Sequence, residues 1–182
     1  MPHLKTLRRP PAPRPTEPLV ESGMDWGAAG WAGLAAGAAF ILLQTFSGLV
    51  FGEGGSTEAV RRLASVALGE SVLSEEQPFT TLTFFAAAIV HIPLSLIYAR
   101  VLAAIIHKLD MARALGVGAL FGAILYFVNY YAVSDFFPWF ISARGPEALV
   151  SHLVFGLLAA GIYKSLISAA DRRARRTART SR

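Results

Sequence analysis

Four long apolar segments constrain this chain more than any other feature of its sequence. They run from about Trp26 to Phe51, Leu82 to Ile106, Ala114 to Val133 and Ala148 to Ala169, and almost no charge lies inside them. An α-helix rises about 1.5 Å per residue, so each segment can cross a hydrocarbon layer of about 30 Å. Because lipid cannot hydrogen-bond a bare backbone, each segment must coil. The sequence predicts an all-α integral membrane protein, a four-helix transmembrane bundle over residues 26–169.

The composition agrees with this fold class and excludes several kinds of function. Hydrophobic residues make up 54% of the 182 positions and charged residues only 16%, against about 25% in soluble domains. There is no cysteine, which excludes thiol catalysis and thiolate metal sites. The net charge of +5 comes from the two tails. Because no folded basic face with aromatic readers accompanies it, we expect no nucleic-acid partner.

Both ends of the chain are expected to lie outside the bilayer. Residues 1–25 hold six of the ten prolines, cannot form a continuous helix and are predicted to be a disordered tail. Residues 170–182 form an arginine-rich tail, for which contact with anionic lipid headgroups is expected and docking of another protein is the alternative. Four arginines are predicted to touch lipid: Arg172, Arg173, Arg175 and Arg176.

A short amphipathic segment lies between the first two spans. Over about residues 57–69 apolar side chains recur at helical spacing, and Arg61 and Arg62 fall mostly elsewhere on the helical wheel. This pattern predicts an interfacial helix on the membrane surface. Asp110 is placed to cap the third span, and Pro146 stands at the first helical position of the fourth.

The distribution of basic residues predicts the orientation of the chain. Fourteen of the seventeen Lys and Arg residues fall in the two tails, at the second loop or at the span ends beside them. Only Arg61, Arg62 and Arg144 fall on the opposite side. Basic residues are retained in the cytoplasm, so both termini are expected to be cytoplasmic.

Small residues mark one face of each span. Packing in a membrane depends on such residues, because apolar side chains gain little by leaving lipid. The spacings Gly33 to Gly37 and Gly118 to Gly122 indicate close helix contacts, within one chain or across a dimer, and the contact within one chain is favoured. The glycines predicted to pack helices together are Gly33, Gly37, Gly118, Gly122 and Gly156.

Four polar side chains, one on each span, form the candidate site: Gln44, His91, Asn129 and His152. Because successive helices alternate in direction, their depths can be compared, and all four fall in the outer half of the bundle. An unpaired amide or imidazole in hydrocarbon costs several kcal/mol, so we expect mutual hydrogen bonds or a hydrated cavity. The cluster is interpreted as a structural network, as a site for a substrate, ion or proton, or as a bis-histidine haem site.

No metal, cofactor or enzymatic activity is predicted. Two histidines alone do not complete the coordination sphere of a metal ion, and the spans contain no carboxylate that could add to it. The lack of a carboxylate within the spans also disfavours ion-coupled transport. No phosphate-binding loop, nucleophile elbow or pair of catalytic acids is present. We expect a non-enzymatic accessory or stabilising subunit, or a small envelope-homeostasis protein, working with a membrane-protein partner or a second copy. A small transporter or channel and a haem-binding protein are the alternatives.

Five segments of the chain are informative beyond their hydropathy: Arg62–Gly69, Val90–Tyr98, Asn129–Tyr131, Phe137–Phe140 and His152–Gly156. These segments resemble a family of small bacterial inner-membrane proteins, some of which carry the label sodium:proline symporter. The likeness covers roughly residues 26–168 and omits both tails. It implies four helices in a bacterial inner membrane and supplies no catalytic residues.

Overall fold

A computed structural model describes residues 23–51, 57–74 and 76–180 of the chain. It is 88% helical, and no β-strand occurs in these ranges. Most of the predicted N-terminal tail, residues 1–22, lies outside the described residues, as do the last two positions.

Five α-helices follow one another within the described residues. Four of them are long and apolar enough to cross a membrane, the third of these crossings continuing as far as Asp135. The prediction of an all-α bundle with four spans is therefore confirmed. The helices are α1 (Trp26–Phe51), α2 (Glu58–Leu68), α3 (Thr81–Ile106), α4 (Met111–Phe127) and α5 (Pro146–Thr180).

The bundle has two ends, which we name by what lies there. The terminal side carries the start of α1 and the short turn between α3 and α4. The loop side carries the interfacial helix α2 and the connection between α4 and α5. This connection consists of a π-helical turn, Val128–Ala132, followed by two 3₁₀ turns, Val133–Asp135 and Pro138–Ala143.

Local capping fixes where the membrane helices begin. The side chain of Asp25 accepts a hydrogen bond from the Ala28 amide at 2.8 Å and so caps α1. The predicted cap on α4 is present, because Asp110 accepts from the Arg113 amide at 2.9 Å. Each of these carboxylates pairs a backbone donor that has no partner within its helix.

The terminal half of the bundle is closely packed. Alanines along α1 allow α3 and α5 to approach, and the contacts are filled by Leu102, Ile106 and Tyr163, all almost completely buried. α4 packs along α5, and α3 meets α4 only sparsely. The two helices joined by the shortest turn therefore separate towards the loop side.

The prediction for α2 was wrong in one respect. Arg61, predicted to lie away from the apolar face, is only 9% exposed. Its guanidinium donates to the carbonyl oxygens of Val72 at 2.9 Å and Gln77 at 2.8 Å. A buried guanidinium is costly unless its N–H groups have hydrogen-bond acceptors, and here two backbone carbonyl oxygens of the first loop supply them. Arg61 thus holds the rest of that loop against α2.

The fourth membrane helix is longer than predicted. It was expected to end near Ala169, whereas α5 continues to Thr180 through most of the arginine-rich tail. Alanine and arginine are strong helix formers, and no glycine or proline follows Gly161. The tail therefore extends the helix as far as Thr180.

Candidate binding cavity

A cavity of about 770 Å³ lies in the loop-side half of the bundle. All five helices and the connection between α4 and α5 contribute to its walls. The four residues singled out from the sequence, Gln44, His91, Asn129 and His152, all line it. Its volume is within the range of about 300–1,000 Å³ found for small-molecule sites.

A chain of hydrogen bonds crosses the cavity wall from α3 to α5. Nδ1 of His152 lies 2.8 Å from the Ala148 carbonyl oxygen, which can only accept, so Nδ1 carries the hydrogen. Nε2 of His152 therefore accepts from the Asn129 amide at 3.2 Å. The amide oxygen of Asn129 accepts from the Tyr98 hydroxyl at 3.0 Å. The three side chains satisfy one another with a neutral imidazole.

A second group of bonds joins α1 to α4 and α5. Gln44 donates to the Tyr130 hydroxyl at 3.4 Å, and its amide oxygen accepts from Ser151 at 3.2 Å. Because the Tyr130 oxygen acts as an acceptor, its own hydrogen stays available for another acceptor.

Mutual hydrogen bonds or a hydrated cavity were expected, and among the four predicted residues only Asn129 and His152 bond each other. His91 bonds none of the other three. Its Nε2 donates to the carbonyl oxygen of Gly37 at 2.9 Å and lies 3.3 Å from the Ser95 hydroxyl. With the hydrogen on Nε2, Nδ1 of His91 is an acceptor, and no partner for it occurs among the described residues.

The residues present do not fit a bis-histidine haem. The ring of Phe40 contacts both imidazoles, with centroid distances of 5.8 Å to His91 and 4.8 Å to His152. Both nitrogens of His152 are already bonded to protein atoms. The two histidines therefore do not offer a pair of open ligands to one iron.

The π-helical turn at the end of α4 places two consecutive cavity residues, Asn129 and Tyr130, on the same wall. Widening the helix disturbs the regular backbone bonding, and Arg144 compensates by donating to the Tyr130 carbonyl oxygen at 2.7 Å. The Arg144 guanidinium also lies 4.1 Å from the centroid of the Tyr131 ring.

The connection between α4 and α5 and helix α2 together cover the cavity. The indole nitrogen of Trp139 donates to the Ser65 hydroxyl of α2 at 2.8 Å. Three charged side chains also line the cavity: Glu58 and Arg62, which pair with each other on α2, and Glu147 in the first turn of α5.

The five predicted packing glycines all lie where two helices of this chain touch. A Cβ on Gly33 or Gly37 would meet Ser95 on α3 at 2.8 Å or less. A Cβ on Gly118 would meet the Gly156 carbonyl oxygen at 2.5 Å, and one on Gly122 or Gly156 would collide with the backbone of the facing helix. Close approach of α1 to α3 and of α4 to α5 brings the cavity residues within bonding distance.

Two lining residues, Phe40 and Tyr130, and Ser151, which bonds Gln44 without lining the cavity, were not singled out as part of the site from the sequence. Ser151 precedes His152, and adjacent helix residues point about 100° apart, so sequence spacing gave no reason to group the two. Tyr130 could have been found as the polar neighbour of Asn129 near the end of an apolar segment.

The four apolar helices are those of a multi-pass helical membrane protein. No protein-family model, curated protein or solved structure matches the chain.

Proposed function

We propose that the chain is a non-enzymatic membrane protein that binds a small, uncharged amphipathic molecule in the loop-side cavity. The observation that carries the proposal is the convergence of Gln44, His91, Asn129 and His152 on one space of about 770 Å³. A purely structural network would be expected to close that space, since protein interiors pack with few voids.

The residues that line the cavity support an uncharged, amphipathic ligand. Apolar side chains form most of the wall, and the polar side chains that line it apart from Glu58, Arg62 and Glu147 carry no charge in their hydrogen-bonding state. Away from those three residues an ion would lose its hydration without gaining a counter-charge. The Tyr130 hydrogen and Nδ1 of His91 supply one donor and one acceptor for a polar group on the ligand.

Native mass spectrometry of protein extracted from its own membranes tests the proposal. Ala59→Trp fills the cavity from α2, and Ala104→Trp on the lipid-facing side of α3 is the matched control. A bound small mass should be present in the wild type and the control and absent in Ala59→Trp. The same mass in all three proteins, each with an unchanged unfolding temperature, would contradict the proposal.

A carrier is the second candidate, because the cavity lies on one side only. The terminal half is packed with Leu102, Ile106 and Tyr163, so release there needs another conformation. Flux of the identified ligand into proteoliposomes should fall when His91, Asn129 or His152 is replaced by Ala. Binding without flux in the wild type would limit the function to binding.

An accessory subunit is the third candidate, and the projecting end of α5 favours it. The positions from Asp171 to Thr180 are exposed and leave a surface available to another protein. Gentle detergent extraction should then recover the chain with a partner or as an oligomer. A chain recovered consistently alone would count against this role.

We also propose that the loop side faces away from the cytoplasm of a bacterial inner membrane. The support is the basic bias towards the terminal side, together with the sequence resemblance. Since the chain has no cysteine, single cysteines report topology directly. In intact cells an impermeant maleimide should label Ser142→Cys, and it should label Ala174→Cys only after permeabilisation.

A further inference from the structure

The last part of α5 extends well beyond the bundle. Lys164 marks the level of the α3–α4 turn, because its ammonium donates to the His107 carbonyl oxygen at 3.1 Å. α5 continues from Lys164 to Thr180 without a break. At about 1.5 Å per residue the helix end stands roughly 24 Å beyond that turn.

This extension carries an exposed arginine face. At 100° per residue, four guanidinium groups fall within about one third of the helix circumference. They have no ion-pair partner in the part of the chain that the structure describes, and the extension holds a single acid, Asp171. We call Arg172, Arg175, Arg176 and Arg179 the arginine face.

Two properties favour a position of the arginine face in water over one among lipid headgroups. The headgroup layer is only about 5–8 Å thick, whereas Arg172 and Arg179 stand roughly 12 and 22 Å past the turn. No large apolar residue follows Ile167 in α5, so the extension lacks the apolar side that an interfacial helix inserts into the bilayer.

We propose that the arginine face is a docking site for an acidic segment of a partner protein. Guanidinium groups pair with carboxylates in a bidentate manner, and four on one helical face match a run of Asp and Glu side chains. Single-stranded RNA fits less well, because the extension has no aromatic side chain on which a base could stack. This site is separate from the cavity and does not depend on a ligand there.

The test measures binding of a fluorescent oligoglutamate peptide to the full-length protein in nanodiscs of uncharged lipid. Replacing the four arginines of the face by Gln should weaken binding at least tenfold. Ala174→Pro keeps every charge but breaks the helix, and it should also weaken binding severalfold. Arg173→Gln, which removes an arginine outside the face, should change the affinity less than twofold.

Three results would overturn the proposal. Full affinity in Ala174→Pro would show that the number of charges and not the helical face is recognised. Tighter binding of a single-stranded RNA than of the peptide would identify a nucleic-acid site. In nanodiscs of phosphatidylglycerol, transfer of a fluorophore at position 174 into the headgroup layer, with loss of peptide binding, would identify a lipid contact.

Discussion

Asn129 connects the two sides of the cavity, since it accepts from Tyr98 on α3 and donates to His152 on α5. Removing it leaves a hydroxyl and an imidazole without their partners. Such bonds in membrane bundles contribute on the order of 1 kcal/mol, because the unfolded chain in detergent also finds partners.

A double-mutant cycle measures this bond. Asn129→Ala and His152→Ala should each lower the free energy of unfolding in mixed micelles, and their effects should differ from additivity by about 1 kcal/mol. Asn129→Ala paired with Gly116→Ala, at a position that touches nothing nearby, is the control and should be additive. Additivity in both cycles would show that the two side chains do not interact.

Glycine positions give a second prediction at the scale of single residues. Gly122→Ala places a methyl group against the His152 backbone on α5, so the helices must separate, and unfolding should become easier by about 1–3 kcal/mol. Gly116→Ala on the same helix meets nothing within 4 Å and should be neutral or stabilising. Equal effects in thermal unfolding would contradict the packing of α4 against α5.

Single residues also show where sequence reasoning reaches its limit. Gln44, His91, Asn129 and His152 could be grouped because depth along a helix follows from residue count. That His91 bonds the backbone of Gly37 could not be predicted, since it depends on how α1 and α3 are rotated against each other. A pattern of side chains in the sequence gives no information about a backbone acceptor on another helix.

At the scale of elements, the first loop is held by Arg61. Arg61→Met removes its bonds to the carbonyl oxygens of Val72 and Gln77, so amide hydrogen exchange over residues 70–77 should accelerate. Arg62→Met, which removes an ion pair with Glu58, is the control and should leave that exchange nearly unchanged. The same protection in all three proteins would contradict the role of Arg61.

The cap on α4 predicts a pH dependence. The hydrogen bond from the Arg113 amide is the main cause that lowers the pKa of Asp110 in the folded protein. Because its pKa is lower in the folded than in the unfolded protein, Asp110 stabilises the fold at pH values above its unfolded pKa of about 4. This stabilisation is lost as the pH falls through the pKa of the folded protein. The stability difference between the wild type and Asp110→Ala should therefore shrink below pH 4. A difference that grows on acidification would contradict the cap.

Element boundaries were predictable where composition changes sharply. α1 begins and ends at the residues expected from hydropathy, and Asp110 and Pro146 mark helix starts as their chemistry requires. The π-helical turn was not predictable, because the residues Val128–Ala132 would also form an α-helix and the wider turn depends on contacts such as that of Arg144. The extension of α5 was missed although its alanines and arginines favour helix.

At the scale of the whole molecule, the small bundle combines a closely packed terminal half with a cavity in the loop-side half. The helices pack through alanines and a few large apolar side chains at one end, and their polar side chains meet around a space at the other. The four spans followed from the sequence because lipid leaves the backbone no alternative to a helix. A hydrated cavity was one of two alternatives that the polar side chains predicted, but its volume could not be predicted, because it depends on how far α3 and α4 separate.

The water accessibility of positions along α3 tests most directly whether the bundle has a packed terminal half and an open loop-side half. The chain has no cysteine, so Val90→Cys in the cavity wall and Ala103→Cys in the packed half can each be the only thiol. A small water-soluble thiosulfonate should modify Val90→Cys in membranes and spare Ala103→Cys, since a space of about 770 Å³ with polar side chains in its wall admits water. Protection of both cysteines, with both proteins folded, would show that no open cavity exists.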